Sequence, residues 1–161
     1  MATTYRDPAE GSFLRFFYRD WRPTRLGKLV TGALAWVVGL GLTPGVLLTL
    51  RVKGRRSGRF RDTVLVVAKH DGQRCLVSML GGGSEWVRNV RAAGGKAFVK
   101  RGQSRPVRLT EVSVGERGPI LKAYCQVATS GRRHFPVSPN VPLSEFDAVA
   151  GRYPVFRIDP A

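Results

Sequence analysis

The sequence predicts a mainly β chain of the α+β class, an antiparallel barrel with flanking helices. Three observations carry that expectation. Short apolar runs rich in Val and Leu recur through residues 46–112. Tight glycine-bearing turns join them, which suits a meander closing on itself. Two of the runs, Val64-Leu65-Val66-Val67 and Leu76-Val77, are apolar on both faces, and helices packed outside the barrel would cover the outward side.

The elements follow in order. Residues 1–45 form an N-terminal helical segment, and residues 46–161 form the barrel, within one globular domain overall. Leu29 to Leu50 carries no charged residue. Thr43-Pro44-Gly45 interrupts it with a turn signal, so the expected reading is a core helix ending near Leu42, then a strand from Val46. A helix on a membrane surface is the rival, because Phe13, Phe16, Phe17, Tyr18 and Trp21 interleave with Arg15, Arg19, Arg22 and Arg25. A true span is the least favoured reading.

Strands are predicted at 46–53, 60–69, 74–79, 96–101 and 104–112. Asp71-Gly72 is a strong hairpin signal between the second and third, and Gly102-Gln103 joins the last pair. A short helix over 85–93 has Ser84 as N-cap and Gly94 at its end. Another helix should start at Pro119, a good first helical residue, and run to about Ala128. Ser113 and Glu116 have capping-box spacing, but a helix from Ser113 would bury Pro119 in its interior, so that match is discounted. Gly131 to Val141 reads as a loop. A short helix over 143–150 and a strand from Tyr153 to Ile158 complete the chain.

Charge narrows the function. Lys and Arg total 27 against 11 Asp and Glu, a formal net charge of +16. Such an excess favours an anionic partner: nucleic acid, an anionic membrane, or a phosphorylated or polycarboxylated ligand. No acidic residue lies between Trp21 and Arg61, nor between Arg88 and Arg108. Cys75 and Cys125 sit among apolar neighbours and read as small buried hydrophobes. With His70 and His134 they lack metal-ligand spacing, so no metal site is expected. No signal peptide is evident, and a cytoplasmic location is expected, with peripheral contact at the inner face of the membrane as its variant.

Two turns carry the chemistry. Lys53-Gly54-Arg55-Arg56-Ser57-Gly58-Arg59-Phe60-Arg61 combines glycines, a hydroxyl and basic residues. Arg offers a planar fork of donors matching phosphate, and Ser57 with nearby backbone N–H groups can complete an anion nest. The plainer alternative is a solvated basic hairpin. The second turn, Gly81-Gly82-Gly83-Ser84, leads into Glu85-Trp86-Val87-Arg88-Asn89. Its glycines admit a flat ligand close to the backbone. Trp86 and Asn89 share one helix face: they either border a ring pocket and hold a polar edge, or serve as core and backbone partner. The run lacks dinucleotide-fingerprint spacing.

Strand, Gly-Arg-Arg-Ser-Gly-Arg-x-Arg, strand, Asp-Gly, strand, Ser-x-x-Gly-Gly, Trp-x-x-Asn, strand: this order resembles the deazaflavin (F420)-dependent nitroreductase and quinone reductase family, clearly over 46–112. The resemblance implies a split, FMN-binding-like β-barrel. It implies coenzyme F420 as cofactor, with FMN as the alternative. Arg55, Arg56, Ser57, Gly58, Arg61 and Thr63 would then hold the phosphate and polyglutamate tail. The ring would lie near Ser78, Met79, Gly81 and Gly82, beside Trp86 and Asn89. Ser78 is the catalytic candidate, through a hydrogen bond to ring or acceptor. Tyr124 and Tyr153 are the late tyrosines available to shape a substrate pocket. The implied reaction is hydride transfer to a small-molecule acceptor such as a quinone, nitroaromatic or activated alkene. The rival class is a basic module binding nucleic acid or anionic lipid; the strands offer only Phe60 and Phe98 for base stacking, so no specific nucleic acid is expected.

Overall fold

A computed structural model of the chain describes residues 18–19, 22–23, 45–128 and 135–161. The predicted helix over 29–42, and the aromatic and basic residues that motivate membrane contact, lie almost wholly outside the described residues. Tyr18–Arg19 pairs antiparallel with Arg22–Pro23. Among the described residues, no helix is long and apolar enough to cross a membrane.

Six strands close the barrel: β1 (Leu47–Lys53), β2 (Phe60–His70), β3 (Gln73–Val77), β4 (Lys96–Arg101), β5 (Gln103–Glu111) and β6 (Val155–Pro160). Their order around it is β1-β2-β3-β6-β5-β4, every pair antiparallel, with β4 returning to β1. Helices α1 (Glu85–Ala92), α2 (Arg117–Val127) and α3 (Leu143–Val149) flank it. The β2–β3 hairpin turns at Asp71 and Gly72, both in the left-handed region (φ 47° and 73°). That is what a twist-matched two-residue turn requires.

Both faces of β2 and β3 are indeed used, each by a different core. Val67 pairs with Leu76, and these face a cluster containing Leu48, Leu50, Val52, Val87, Leu109 and Phe156. The next pair, Ala68 and Cys75, faces the opposite way, against Leu121, Tyr124 and Cys125 of α2 and Phe146 of α3. The period-two alternation of a strand thus divides its side chains between barrel interior and helical layer. Each large side chain fully buried this way contributes roughly 1.5–3 kcal/mol of transfer free energy. Both cysteines are buried, and neither forms a disulfide among the described residues. Burial pushes the Cys75 thiol pKa up, as expected of a structural cysteine.

Three elements have an end two residues from the sequence expectation; the other described elements agree within one. The third strand ends at Val77 rather than 79, because Ser78 turns the chain into the glycine loop. The last strand occupies Val155–Pro160; Ala150–Arg152 is a 3-10 turn that delays it. Helix α2 starts at Arg117, placing Pro119 third. A proline fits there because first-turn N–H groups have no intrahelical acceptor. The Ser113–Glu116 spacing, discounted as a capping box, makes no side-chain cap bond: the Ser113 hydroxyl meets the Glu116 carboxylate across the 3-10 turn Val114–Glu116, just before α2.

Candidate functional site

The basic turn between β1 and β2 is tightly built. The Gly54 N–H donates to Arg59 O at 2.8 Å and the Gly58 N–H to Gly54 O at 2.8 Å. A Cβ on Gly54 would stand 3.0 Å from Arg59 O and 3.1 Å from the Ser57 hydroxyl, and Gly58 has φ +66°. Both positions therefore need glycine. The Arg59 N–H reaches Ser57 Oγ at 3.4 Å. The rim so formed exposes Arg56, Ser57, Gly58, Arg59 and Arg61. Among the described residues, Arg56, Arg59 and Arg61 form no salt bridge. Thr63 lies further along β2, half-buried and paired with Leu50.

Arg55 behaves differently from its neighbours. Its Nη1 donates to Glu85 Oε2 at 2.7 Å and its Nη2 to Glu85 Oε1 at 3.3 Å. Its backbone N–H donates to Asn89 Oδ1 at 3.2 Å, and Nη1 also reaches that oxygen at 3.1 Å. The hydrogen bond from Arg55 holds the Glu85 carboxyl below the usual carboxylate range. Buried Asn89 is thus the pin that fixes the turn to α1. Asn89 thus serves as a partner for a backbone N–H.

Trp86 is core. It is buried and meets Phe156 edge-on, ring centroids 5.4 Å apart. Its work is to seat α1 on the barrel, so the helix presenting Glu85 and Asn89 is rigidly placed.

The second turn is cross-braced. Ser78 Oγ lies 2.7 Å from Gly81 O and 2.8 Å from Ser84 Oγ, and Ser84 Oγ lies 3.0 Å from Gly81 O. The two hydroxyl protons can fill two of these three contacts at a time, and together they close the loop on itself. Ser78 is also buried, and its N–H donates to Pro154 O. Met79, Leu80, Gly81 and Gly82 are half-buried. Gly81 has φ +75° and passes so near Arg152 O that a Cβ would stand 3.2 Å away. Behind Met79, the Tyr124 hydroxyl reaches its sulfur at 3.6 Å. Tyr124 and Tyr153 both stack on Phe135, with centroids 5.7 and 4.3 Å apart. Desolvation drives the Tyr124 phenol pKa up, so it stays protonated.

The structure therefore brings Arg55 and Asn89 into contact, ties Ser78 to the glycine loop, and leaves Arg56, Ser57 and Arg61 on an open rim. Sequence reading missed three residues. Ser84 holds the N-cap position of α1 without a side-chain cap bond; its hydroxyl braces Ser78 instead. Arg117 is buried, and donates to Val112 O at 2.9 Å and Glu111 Oε1 at 3.1 Å, while Glu111 also takes a bidentate pair from Arg91. The third is Glu85, the partner of Arg55. Its signal was present: it is the lone acidic residue between Asp71 and Glu111.

A phosphodiester with a polycarboxylate tail fits this rim. It needs several cations that are not already neutralised, and Arg56, Arg59 and Arg61 supply them. Among the described residues no cluster of His, Cys, Asp or Glu could hold a metal ion.

Residues 30–133 match the sequence profile of the F420H(2)-dependent quinone reductase family. No curated protein matches the sequence. Among solved structures, a domain-swapped dimer is similar at 16% identity, covering 83% of this chain and 96% of that one, with a TM-score of 0.53. An F420-H2 dependent reductase, FDR-A, is 21% identical over 71% of this chain and 95% of that one, TM-score 0.48. A pyridoxamine 5'-phosphate oxidase-related, FMN-binding protein from Nostoc punctiforme is 17% identical over 89% and 81%, TM-score 0.47.

Proposed function

The chain belongs to the F420H(2)-dependent quinone reductase family, and we propose that it passes a hydride from reduced coenzyme F420 to a quinone, with nitroaromatics and activated alkenes as further acceptors. F420 dependence and reductase class come with the family; the acceptor and the residue roles are our reading. Its support is the open cationic rim beside a closed glycine loop. When bound, the coenzyme supplies the hydride-donor chemistry. Arg56, Arg59 and Arg61 hold the phosphate and tail through charge-assisted hydrogen bonds, with Ser57 as a further donor. The backbone of Met79, Gly81 and Gly82 gives the ring a flat floor. Ser78 acts as a positioning residue: its hydroxyl keeps the 78–84 loop in shape. No side chain need deliver the proton, which comes from solvent.

The test is oxidation of F420H2 by a soluble benzoquinone, followed by absorbance. Enzyme-dependent turnover is expected, with F420 binding more tightly than FMN because the rim offers more charge than one phosphate needs. No turnover with any acceptor class, or FMN binding at least as tightly, would overturn the reading.

A further inference from the structure

We infer that Glu85 is a specificity-determining residue: its carboxylate occupies the Arg55 guanidinium and so sets a charge threshold that a ligand must exceed. The inference rests on the coenzyme reading above but goes beyond it.

Glu85 is isolated among cations. Arg55 takes both its oxygens, and Arg88 stands 4.0 Å away. Arg56 also acts on it through space. As the first residue of α1, its carboxylate also sits where the helix end favours an anion. These surroundings would suit a ligand's phosphate or carboxylate equally well. Glu85 is thus an internal substitute for the ligand.

The two partners are not equally fixed. The Glu85 side chain is 47% exposed, and that of Arg55 only 19%. Asn89 holds Arg55 at both backbone and guanidinium, while the Glu85 carboxylate is held only by cations. When an incoming anion competes, Glu85 is the group that swings into water, and Arg55 remains in place.

The cost of that exchange falls unequally on ligands. A mononucleotide carries one phosphate. To use Arg55 it must displace Glu85, and if it stays on the rim it lies near an uncompensated carboxylate. A ligand with a phosphodiester and several carboxylates spreads over Arg56, Arg59 and Arg61 and is affected less by one opposing charge. Glu85 therefore selects against small anions by negative charge placed at the site.

The experiment is equilibrium titration of the wild type and Glu85→Gln with FMN and with F420, read by fluorescence. The amide still accepts a bond from Arg55 but carries no charge. FMN affinity should rise roughly two- to fivefold, the scale of one competing exposed charged contact, while F420 affinity changes less, so the ratio between them narrows. A diffuse electrostatic effect would instead favour the more highly charged F420 at least as much as FMN, and that result overturns the inference. So does weakening of both ligands, which would make Glu85 only a brace for Arg55. Glu85→Ser, equally free of charge, repeats the test if the amide variant folds poorly. Should wild type bind no F420, the coenzyme reading falls separately. Pyrophosphate titration of the same proteins then decides on Glu85: tighter binding to Glu85→Gln supports it, and equal binding overturns it.

Discussion

Phe156→Ala is expected to lower the unfolding free energy by about 3–5 kcal/mol, the usual cost of emptying a buried aromatic site. Phe156 is 2% exposed. It pairs with Leu76 on one side and Glu111 on the other, where β6 joins the two halves of the barrel. Its ring also meets Trp86 edge-on, a contact that adds to the transfer term. The loss should extend to the site, because Trp86 seats the helix whose Asn89 pins the basic turn. Denaturant unfolding followed by tryptophan fluorescence measures the first effect, and coenzyme titration of the still-folded variant the second. A loss below about 1 kcal/mol would mean the barrel core is less continuous than described.

Arg56→Ala is expected to do the opposite: weaken F420 binding on the order of 10- to 150-fold, the range for a lost charge-assisted hydrogen bond, with stability nearly unchanged. Arg56 is exposed and outside any salt bridge among the described residues, so its removal leaves no buried group unpaired. Arg56→Lys should recover only part of the affinity, restoring charge without the fork. Arg55→Ala should differ from both. It deprives Glu85 of its partner and leaves Asn89 only the bond from the backbone N–H of residue 55, and so loosens the turn as well as binding. Arg105→Ala, exposed on β5 outside the turn, is the control and should cost little. Equal, small, salt-screened losses in Arg56→Ala and Arg105→Ala would reduce the rim to one part of a diffuse field.

Much of this arrangement was legible locally. Asp71-Gly72 specified a hairpin, and the left-handed angles of both residues bear that out. The doubly apolar runs in β2 and β3 implied cover on both sides, and the two cores supply it. The glycines of the basic turn indicated a tight backbone, and a Cβ at Gly54 would indeed press to 3.0 Å from Arg59 O. What was not legible depends on distance along the chain. Arg55 and Glu85 lie 30 residues apart, and nothing in either local stretch says that one arginine of the basic turn will be paired by the next helix. Trp86 beside three glycines reads equally as a pocket wall or a core residue, and its contact with Phe156 lies far along the chain. Arg117 sits in a Gly-Glu-Arg-Gly run that reads as solvent loop; its burial follows from the closure of β5 onto β6 with α2 beneath, a long-range event.

The central claim is that the cationic rim grips the phosphate and tail of the coenzyme while the ring rests on the glycine loop. The most direct measurement compares, by fluorescence titration at fixed salt, intact F420 with the deazaflavin riboside that lacks phosphate and glutamates. Loss of at least two charge-assisted contacts predicts that the riboside binds more than about a hundredfold more weakly, and that raising salt weakens F420 but not the riboside. Equal affinities, or the same response to salt, would contradict the account.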